Sequence, residues 1–228
     1  MHAIIASGSG RYADPWHPFG ETSARLADIL REAGLSVTVD DDVDHAMASL
    51  DGVDLLCVNA GDSWRGEGMG GRPGPDSIDG FARALDRGIG VLALHSAASS
   101  LRDYPEWAGA VGRMWVPGLS FHPPADGTTV SEGVFPDGST TDQFDIFDER
   151  YCRLQEIGRS HTVCTHPGAE GSEPTAWVRE VGRSRVAVDV LGHDGRSFDV
   201  PGHRELVRRL ALWTVDELDA RQADARTN

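Results

Sequence analysis

Cysteine is scarce in this sequence, and the three cysteines are far apart. Cys57, Cys152 and Cys164 are odd in number and form no CxxC pair. A disulfide framework and a thiolate zinc site are therefore both disfavoured, and a reducing compartment fits best. The chain also lacks long apolar runs: residues 3–6 are too short for a signal peptide, and no later run could span a bilayer. We expect a cytoplasmic protein.

Basic residues are in the minority. The chain has 21 Lys+Arg against 36 Asp+Glu, a formal net charge of −15 at pH 7. An acidic surface repels phosphate backbones and anionic headgroups, so we expect no broad binding to nucleic acid or to membranes. A small basic pocket that holds one phosphate stays compatible with this charge.

The composition is that of a folded domain with a core. Hydrophobic residues make up 39% and charged residues 25% of the 228 positions, and no repeat or linker divides the chain. We predict one domain over residues 1–216 and a polar tail over residues 217–228 that frays. Periodicity predicts strands at residues 3–6, 35–39, 53–58, 91–94, 176–181 and 186–191, and helices from Thr22 or Ser23 to residue 33, at residues 43–50 and 76–87, and from Pro201 onward.

Apolar strands that alternate with helices predict a parallel sheet covered on both faces. The turn Gly182-Arg183-Ser184 predicts an antiparallel hairpin between the last two strands. Residues 128–134 and 144–154 fit either strands or long connections. The predicted fold class is α/β, a doubly wound and mainly parallel sheet with antiparallel additions.

Polar residues follow several predicted strands at the point where each strand ends. His95 follows the fourth strand, His193 follows the last, and Asn59 follows the third. His17 lies in the segment after the first strand, and His122 lies in a loop. Because ligands of open α/β sheets bind outside the carboxyl ends of the strands, we predict that these side chains line one crevice.

The junction after the fourth strand resembles a nucleophile elbow, in which a tight turn of small residues lifts one side chain above the sheet. In Leu94-His95-Ser96-Ala97 the elbow position holds His95 and neither serine nor cysteine. Acyl-enzyme chemistry through that position is therefore disfavoured. Ser96 stays open either as a displaced nucleophile or as a helix cap.

The segment Gly8-Ser9-Gly10-Arg11-Tyr12-Ala13 matches the dinucleotide pattern GxGxxA. Such a site needs the glycines to open a helix whose amino end holds the pyrophosphate. Here Pro15 and Pro18 intervene, and the helix is predicted to start only near Ser23. We expect neither a nicotinamide nor a flavin cofactor.

The glycine-rich segment Gly61–Gly74 is either a surface loop or a lid over the crevice, since long loops in compact domains are often functional. It carries Trp64 and Arg65. We predict that Trp64 or Trp16 stacks on the face of a sugar, and that Arg65 is available for a carboxylate.

Several short motifs resemble the ThuA-like (trehalose utilisation) family. The most specific part extends from Pro174 to Pro201 and contains Trp177-Val178-Arg179-Glu180 and Leu191-Gly192-His193-Asp194. The remaining matches, which together extend over residues 4–214, are Leu94-His95-Ser96-Ala97 with the family's LHxA stretch, Phe121-His122-Pro123 with its HP element, Asp148-Glu149-Arg150-Tyr151 with its DExY element, and His17 and Phe19 with its HxF element.

This resemblance implies a class I glutamine amidotransferase-like fold, a flavodoxin-like three-layer sandwich. It implies a role in the metabolism of trehalose or a keto-sugar. It also implies loss of the amidotransferase cysteine, in whose place this chain has His95, so no amidotransferase activity is expected. The segment Gly61–Gly74 departs from the family's pattern.

The candidate residues allow two kinds of chemistry. Without a metal, His95 or His193 would act as a general acid or base, with Asp194 or Glu149 as the orienting carboxylate. Imidazoles and carboxylates also suit a divalent metal such as Zn²⁺, which would polarise a sugar carbonyl or lower the pKa of water. The candidate metal ligands are His17, His95, His122 and His193, with Glu149 or Asp194 completing or orienting the set.

The expected partner is a small-molecule carbohydrate, and Tyr151 is predicted to line its pocket. Two alternatives to an enzyme of sugar metabolism stay open. One is a non-catalytic sugar-binding or scaffold module with a degenerate amidotransferase-like site, and the other is a hydrolase that depends on Ser96. A homo-oligomer is also open.

Overall fold

The computed structural model describes the backbone of residues 1–65 and 71–227 and the side chains of residues 1–65 and 71–215. The helices are α1 (Phe19–Glu32), α2 (Val43–Ala48), α3 (Pro75–Arg87), α4 (Trp107–Val111) and α5 (Pro201–Thr227). The strands are β1 (His2–Ser7), β2 (Ser36–Asp40), β3 (Leu55–Asn59), β4 (Gly90–Leu94), β5 (Arg113–Met114), β6 (Asp126–Val130), β7 (Gly133–Val134), β8 (Thr140–Thr141), β9 (Phe144–Asp148), β10 (Gln155–Glu156), β11 (His161–Gly168), β12 (Gly171–Val181) and β13 (Ser184–Asp189).

Seven of these strands form the central sheet, in the order β11-β12-β13-β4-β3-β1-β2. The strands from β13 to β2 pair in parallel, whereas β12 runs antiparallel to β13 and β11 antiparallel to β12. Strands β3 and β4 are buried at every position, because helices cover both faces of a sheet of this kind. The predicted doubly wound, mainly parallel sheet is confirmed.

Helices make the sheet the middle of three layers. On one face α1 and α5 pack against the strands through Leu26 and Leu206. On the other face α2, α3 and α4 pack through Met47, Phe81 and Trp107. Each face therefore has its own apolar core, and the predicted three-layer α/β sandwich is confirmed.

Helix α1 begins at Phe19 and not near Ser23, where the capping pattern predicted its start. The Ser23 hydroxyl is buried and donates to Ser7 Oγ at 2.8 Å instead of capping a helix. The prediction was wrong because a serine oxygen is equally able to bond a neighbouring strand.

Strand β11 was not predicted from the sequence. It pairs with β12, and the register shifts between Thr162 and Cys164 and again between Cys164 and Thr165. These irregularities lie on the edge strand of the central sheet, where bulges are common. Of the two ambiguous segments, residues 126–130 and 144–148 form the antiparallel pair β6–β9 beside the sheet.

Helix α5 continues to Thr227. The domain bounds 1–216 and the fraying of residues 217–228 stay predictions, because side chains from residue 216 onward lie outside the described part of the chain. Within the described residues, none of the helices combines the length and the apolar character needed to cross a membrane.

Candidate functional site

The carboxyl ends of the parallel strands bring distant parts of the chain together. His95 follows β4 directly, and His193 lies four residues beyond the end of β13. His17 lies in the segment between β1 and α1, and Glu149 is the first residue after β9. His95 and His193 therefore lie at one edge of the sheet, because parallel neighbours end there.

The backbone at His95 keeps the geometry of an elbow. His95 opens a short 3₁₀ helix, His95–Ser99, and has a φ of 46°. A positive φ is uncommon for a residue other than glycine and costs of order 1–3 kcal/mol, so the surrounding structure must hold it. The imidazole is 1% exposed, and its Nδ1 donates to the carbonyl oxygen of Val190 at 2.7 Å.

Three imidazoles and one carboxylate meet above this turn. His17, His95, His193 and Glu149 each offer one ligand atom, and these atoms all lie within 4.8 Å of one another. The Nε2 atoms of His95 and His17 are 3.1 Å apart. Glu149 Oε2 lies 3.5 Å from His95 Nε2 and 3.4 Å from His193 Nδ1. We call these four residues the imidazole cluster.

In His95 and His17, the Nδ1 atom has a hydrogen-bond acceptor outside the cluster. A backbone carbonyl only accepts, so His95 Nδ1 carries the proton and His95 Nε2 the lone pair. His17 Nδ1 lies 2.7 Å from Asp14 Oδ2, and although burial opposes it, this bond keeps the pKa of Asp14 below its ordinary value. The neutral His17 ring therefore also directs a lone pair, from Nε2, towards His95.

The charges of the cluster depend on one another. Burial alone would raise the pKa of Glu149, but His193 and His95 outweigh it and hold that pKa well below its usual range. The same carboxylate raises the pKa of His193 against the effect of burial. Burial lowers the pKa of His17, although its bond to Asp14 acts in the other direction. Glu149 is therefore an anion that favours a cation beside it.

A cavity of about 290 Å³ opens beside the cluster. On one wall Tyr151, Trp115 and His122 pack ring against ring, with centroids between 4.9 and 5.8 Å apart. On another, the Arg65 guanidinium lies 4.9 Å from the centroid of Trp16. The lining residues are Asp14, Trp16, His17, Asp62, Arg65, Ser96, Ser99, Trp115, His122, Glu149 and Tyr151.

Five of the ten predicted site residues line this cavity, namely Trp16, His17, His122, Glu149 and Tyr151, and the rings of His95 and His193 belong to the imidazole cluster beside it. Tyr151 is buried, and its hydroxyl is 3.2 Å from His95 Nε2. Trp16 is 56% exposed and lines the cavity. His122 lines it too, but its Nδ1 lies 3.5 Å from the other oxygen of Glu149, Oε1, and His122 is outside the imidazole cluster. The structure therefore brings Glu149, and not His122, together with the other three histidines.

Three predicted residues lie elsewhere. The Asn59 amide is buried and donates to Thr22 Oγ1 at 2.8 Å and to Ser23 Oγ at 3.0 Å, so it joins α1 to the sheet. The Asp194 carboxylate accepts from Arg196. Trp64 is exposed and donates from Nε1 to Asp103 Oδ2 at 3.0 Å. Neither Asn59 nor Trp64 is among the residues that line the cavity.

Two contributors were missed in the sequence. Trp115 had no signal, because it follows the two-residue strand β5. Asp14 did have a sequence signal, because it lies three residues before His17. A carboxylate at this spacing can accept from both the amide and the ring of the histidine, as Asp14 does. In the segment Gly61–Gly74, residues 66–70 lie outside the described residues, so the lid stays a prediction. Arg65 lies at the cavity beside this segment.

Comparison with known proteins gives a family and a fold. The ThuA family, described as trehalose utilisation, matches residues 12–214. No curated protein matches the sequence. Among solved structures, a ThuA-like protein from Parabacteroides merdae ATCC 43184 is 16% identical, with a TM-score of 0.74 over 94% of this chain and 89% of that one.

Two further structures agree. A ThuA-like protein from Bacteroides uniformis ATCC 8492 has a TM-score of 0.61 at 12% identity, over 94% of this chain and 91% of its own. A cytoplasmic protein from Salmonella typhimurium LT2 has the same TM-score and identity, over 94% of this chain and 97% of its own. At such identities the likeness concerns the fold, which is the class I glutamine amidotransferase-like fold.

The family match covers most of the chain, from the 3₁₀ turn before α1 into α5. It spans all of the residues that form the imidazole cluster. The resemblance found in the short motifs is thereby confirmed, and the chain belongs to the ThuA (trehalose utilisation) family.

Proposed function

We propose that this protein is an enzyme of sugar utilisation that acts on a small carbohydrate, with three imidazoles holding a divalent metal such as Zn²⁺ and Glu149 moving a proton. The observation that carries the proposal is the imidazole cluster at the rim of a cavity. The family description, trehalose utilisation, supports a carbohydrate as the substrate class.

The donor set fits a metal because the cluster has more acceptors than donors. His17 Nε2, His95 Nε2 and Glu149 Oε2 all present lone pairs to a shared space, and the Tyr151 hydroxyl is the donor beside them. Lone pairs that face each other at this range repel unless a cation lies between them. His193 Nδ1 is also buried without a hydrogen-bond partner in the described structure.

The surrounding contacts match those of metal-binding histidines. A ligating histidine donates its other ring nitrogen to a carboxylate or a carbonyl, which fixes the ring. Asp14 does this for His17, and the carbonyl of Val190 does it for His95. Three protein imidazoles leave a fourth position open, as in catalytic rather than structural zinc sites. When bound, the metal would polarise a substrate oxygen or acidify a water molecule.

Glu149 is the residue best placed to accept or return a proton. Its Oε2 lies among the cluster and its Oε1 lies towards His122 on the cavity wall. It is ionised at neutral pH and so has lone pairs free to accept a proton, while its low pKa makes it a weak base. We assign to it the proton of a sugar hydroxyl, or of a carbon next to a carbonyl. The sequence has no lysine, so a lysine Schiff base with a keto-sugar is excluded.

The cavity size narrows the substrate. A volume of about 290 Å³ is at the lower limit of small-molecule sites, which begin near about 300 Å³. We therefore propose that one sugar ring enters it and packs against the rings of Trp115 and Tyr151. A second ring of a disaccharide would extend past Trp16, which is largely exposed at the mouth.

A metal-free form of the site is the second candidate. A proton shared by His17 Nε2 and His95 Nε2 would also relieve the facing lone pairs at 3.1 Å. In that form His95 and His193 do the acid and base work. Hydrolysis through Ser96 has less support, because its hydroxyl is buried and donates to the carbonyl of Ala60 at 3.1 Å.

The test is a metal analysis of the purified protein joined to zinc-binding measurements. We expect close to one zinc per chain, lost in His95→Ala and His193→Ala and kept in His45→Ala, an exposed histidine paired with Asp40. Folded wild-type protein that takes up no zinc would overturn the proposed metal site. If that protein still turned over a carbohydrate, the result would support the metal-free mechanism.

A substrate screen separates enzyme from binding module. Monosaccharides, trehalose and their keto derivatives would be incubated with wild type and with Glu149→Gln. We expect turnover by the wild type alone and binding by both. Binding without turnover by the wild type would favour a non-catalytic sugar-binding or scaffold module.

The proposal includes a cytoplasmic location and no nucleic-acid or membrane partner. The net charge of −15 supports the expectation of no nucleic-acid or membrane partner. A structural neighbour from Salmonella is described as a cytoplasmic protein, which supports the cytoplasmic location. We expect neither nicotinamide nor flavin in the site.

A further inference from the structure

A buried carboxylate directly before Glu149 has no part in the chemistry above. Asp148 ends β9 and is 2% exposed. Its Oδ1 accepts from the amides of Glu149 at 2.7 Å and His193 at 3.3 Å. Its Oδ2 accepts from the amide of Gly192 at 2.8 Å and from Ser197 Oγ at 2.5 Å. All four partners donate, so both oxygens are fully used.

These donors belong to two separate parts of the fold. Glu149 follows β9, which pairs with β6 outside the central sheet. Gly192, His193 and Ser197 follow β13, which lies inside it. The carboxylate of Asp148 therefore joins the segment that carries the acidic member of the imidazole cluster to the segment that carries one of its imidazoles.

We propose that Asp148 is a positioning residue, which sets the separation of Glu149 and His193 and so the affinity of the cluster for its metal. The inference rests on the proposed function. The 3.4 Å between Glu149 Oε2 and His193 Nδ1 depends on where the two backbones lie. Both backbones bond to the same oxygen, Asp148 Oδ1, which leaves little freedom for one to move without the other.

The segment after β13 has a second set of buried contacts. His203 Nδ1 donates to the carbonyl of Ser197 at 2.8 Å, and His203 Nε2 lies 2.9 Å from Asp189 Oδ2. Asp189 Oδ1 in turn accepts from the amide of Leu191 at 3.0 Å. Two buried carboxylates, Asp148 and Asp189, thus accept from backbone amides of this segment, and Asp148 also accepts from the amide of Glu149.

Asp148→Asn is the informative substitution because it keeps the size of the side chain. An amide replaces one accepting oxygen by an NH₂ group, which then faces donors it cannot serve. Partners that orient metal ligands typically change metal affinity about 10–100-fold when they are altered. A purely structural acceptor would lower the melting temperature without changing zinc affinity in the folded protein.

The experiment measures zinc dissociation constants by chelator competition, at a temperature well below the melting of every variant. We expect Asp148→Asn to bind zinc about 10–100-fold more weakly than wild type. Asp145→Asn is the matched control: the same change on the exposed face of β9, where Asp145 accepts from Thr129. It should keep the wild-type affinity.

A second variant covers the case in which Asp148→Asn fails to fold. Ser197→Ala removes one of the four donors and leaves the carboxylate in place, and we expect it to weaken zinc binding by a smaller factor. Folded Asp148→Asn with wild-type zinc affinity overturns the inference. If Asp148→Asn is unfolded, wild-type affinity in Ser197→Ala overturns it.

Amide hydrogen exchange without metal separates this inference from the proposed function. If the wild type binds no zinc, the metal proposal fails by itself. Exchange at Gly192 and His193 then decides the role of Asp148: about tenfold faster exchange in Asp148→Asn than in Asp145→Asn supports positioning. Equal exchange in the two variants overturns it.

Discussion

Two buried histidines of this protein have nearly the same exposure but different hydrogen-bond partners. His95 is 1% exposed and His203 is 0% exposed. Both nitrogens of His203 have fixed partners, the carbonyl of Ser197 and the carboxylate of Asp189. His95 is fixed through Nδ1 alone, and its Nε2 is shared by another imidazole, a hydroxyl and a carboxylate.

The difference shows that burial does not by itself mark a functional histidine. The His203 ring has an acceptor at each of its two nitrogens, so it stabilises the fold. The His95 ring has more acceptors around its Nε2 atom than protons to share with them, so this position favours a bound cation. What distinguishes the two is the balance of donors and acceptors around each nitrogen.

The largest loss of stability is expected when the buried pair of His203 and Asp189 is broken. His203→Ala leaves Asp189 buried without its partner and should lower the free energy of unfolding by about 3–5 kcal/mol. Urea unfolding followed by circular dichroism measures the change. His45→Ala, at an exposed histidine, is the control and should leave the transition midpoint unmoved. A loss no greater than the control's would contradict the role of the pair.

A smaller loss is expected at the glycine that carries the site segment. Gly192 has a φ of 109°, and a Cβ there would lie 3.0 Å from the Phe198 ring. Gly192→Ala should cost about 1–3 kcal/mol and weaken zinc binding. Gly182, in the hairpin turn with a φ of 59°, has no atom within 4 Å of such a Cβ.

Gly182→Ala is therefore the matched control for that change. It carries the backbone penalty of about 1 kcal/mol without the contact, and it should leave zinc binding alone. Equal effects of the two substitutions on zinc affinity would show that the segment after β13 does not position His193.

The strain at the elbow predicts a difference of about 1 kcal/mol between two substitutions of His95. Both His95→Gly and His95→Ala remove the imidazole and should abolish zinc binding. Glycine tolerates a φ of 46°, whereas alanine does not, so the glycine variant should be the more stable. Thermal unfolding measures the order, and an alanine variant of equal stability would mean that the turn is unstrained.

The dependence of stability on pH is the smallest expected effect, about 1 kcal/mol for each unit of pKa shift. Although burial opposes it, Asp189 raises the pKa of His203 above the ordinary 6.5. This stabilisation is complete below pH 6.5 and is lost as the pH rises through the folded-state pKa. The difference in unfolding free energy between wild type and His203→Ala should therefore shrink on the alkaline side.

Glu149 in the site shows the opposite dependence. Its pKa in the folded protein lies below the ordinary 4.5, because His193 and His95 outweigh its burial. Its contribution is present above pH 4.5 and is lost as the pH falls. The difference between wild type and Glu149→Gln should shrink in acid, and a difference independent of pH would contradict the charge coupling.

The sequence predicted best what depends on periodicity and topology. Strands β1, β3, β4 and β13 were found because their apolar runs are local. The convergence of His95 and His193 followed from the rule that parallel strands end at one edge. Their joint place in the imidazole cluster needed no knowledge of side-chain packing.

The rest depended on partners that only the folded chain brings near. Asn59 follows a strand as a site residue should, but α1 begins early enough to place Thr22 and Ser23 against its amide. Asp194 lies beside His193 in sequence, yet Arg196 two residues later engages its carboxylate. Asp148 stood in the sequence only as the first residue of the DExY element, because its role depends on donors from two separate parts of the fold.

The irregular register of β11 bears on how copies of this chain meet. An incoming strand that extends the central sheet would need a regular row of free amides and carbonyls along this margin. The two shifts near Cys164 interrupt that row, and irregularities of this kind increase the local twist of a strand. Growth of the sheet from one molecule into the next is thus disfavoured along β11, and any assembly through this margin would have to rely on side chains.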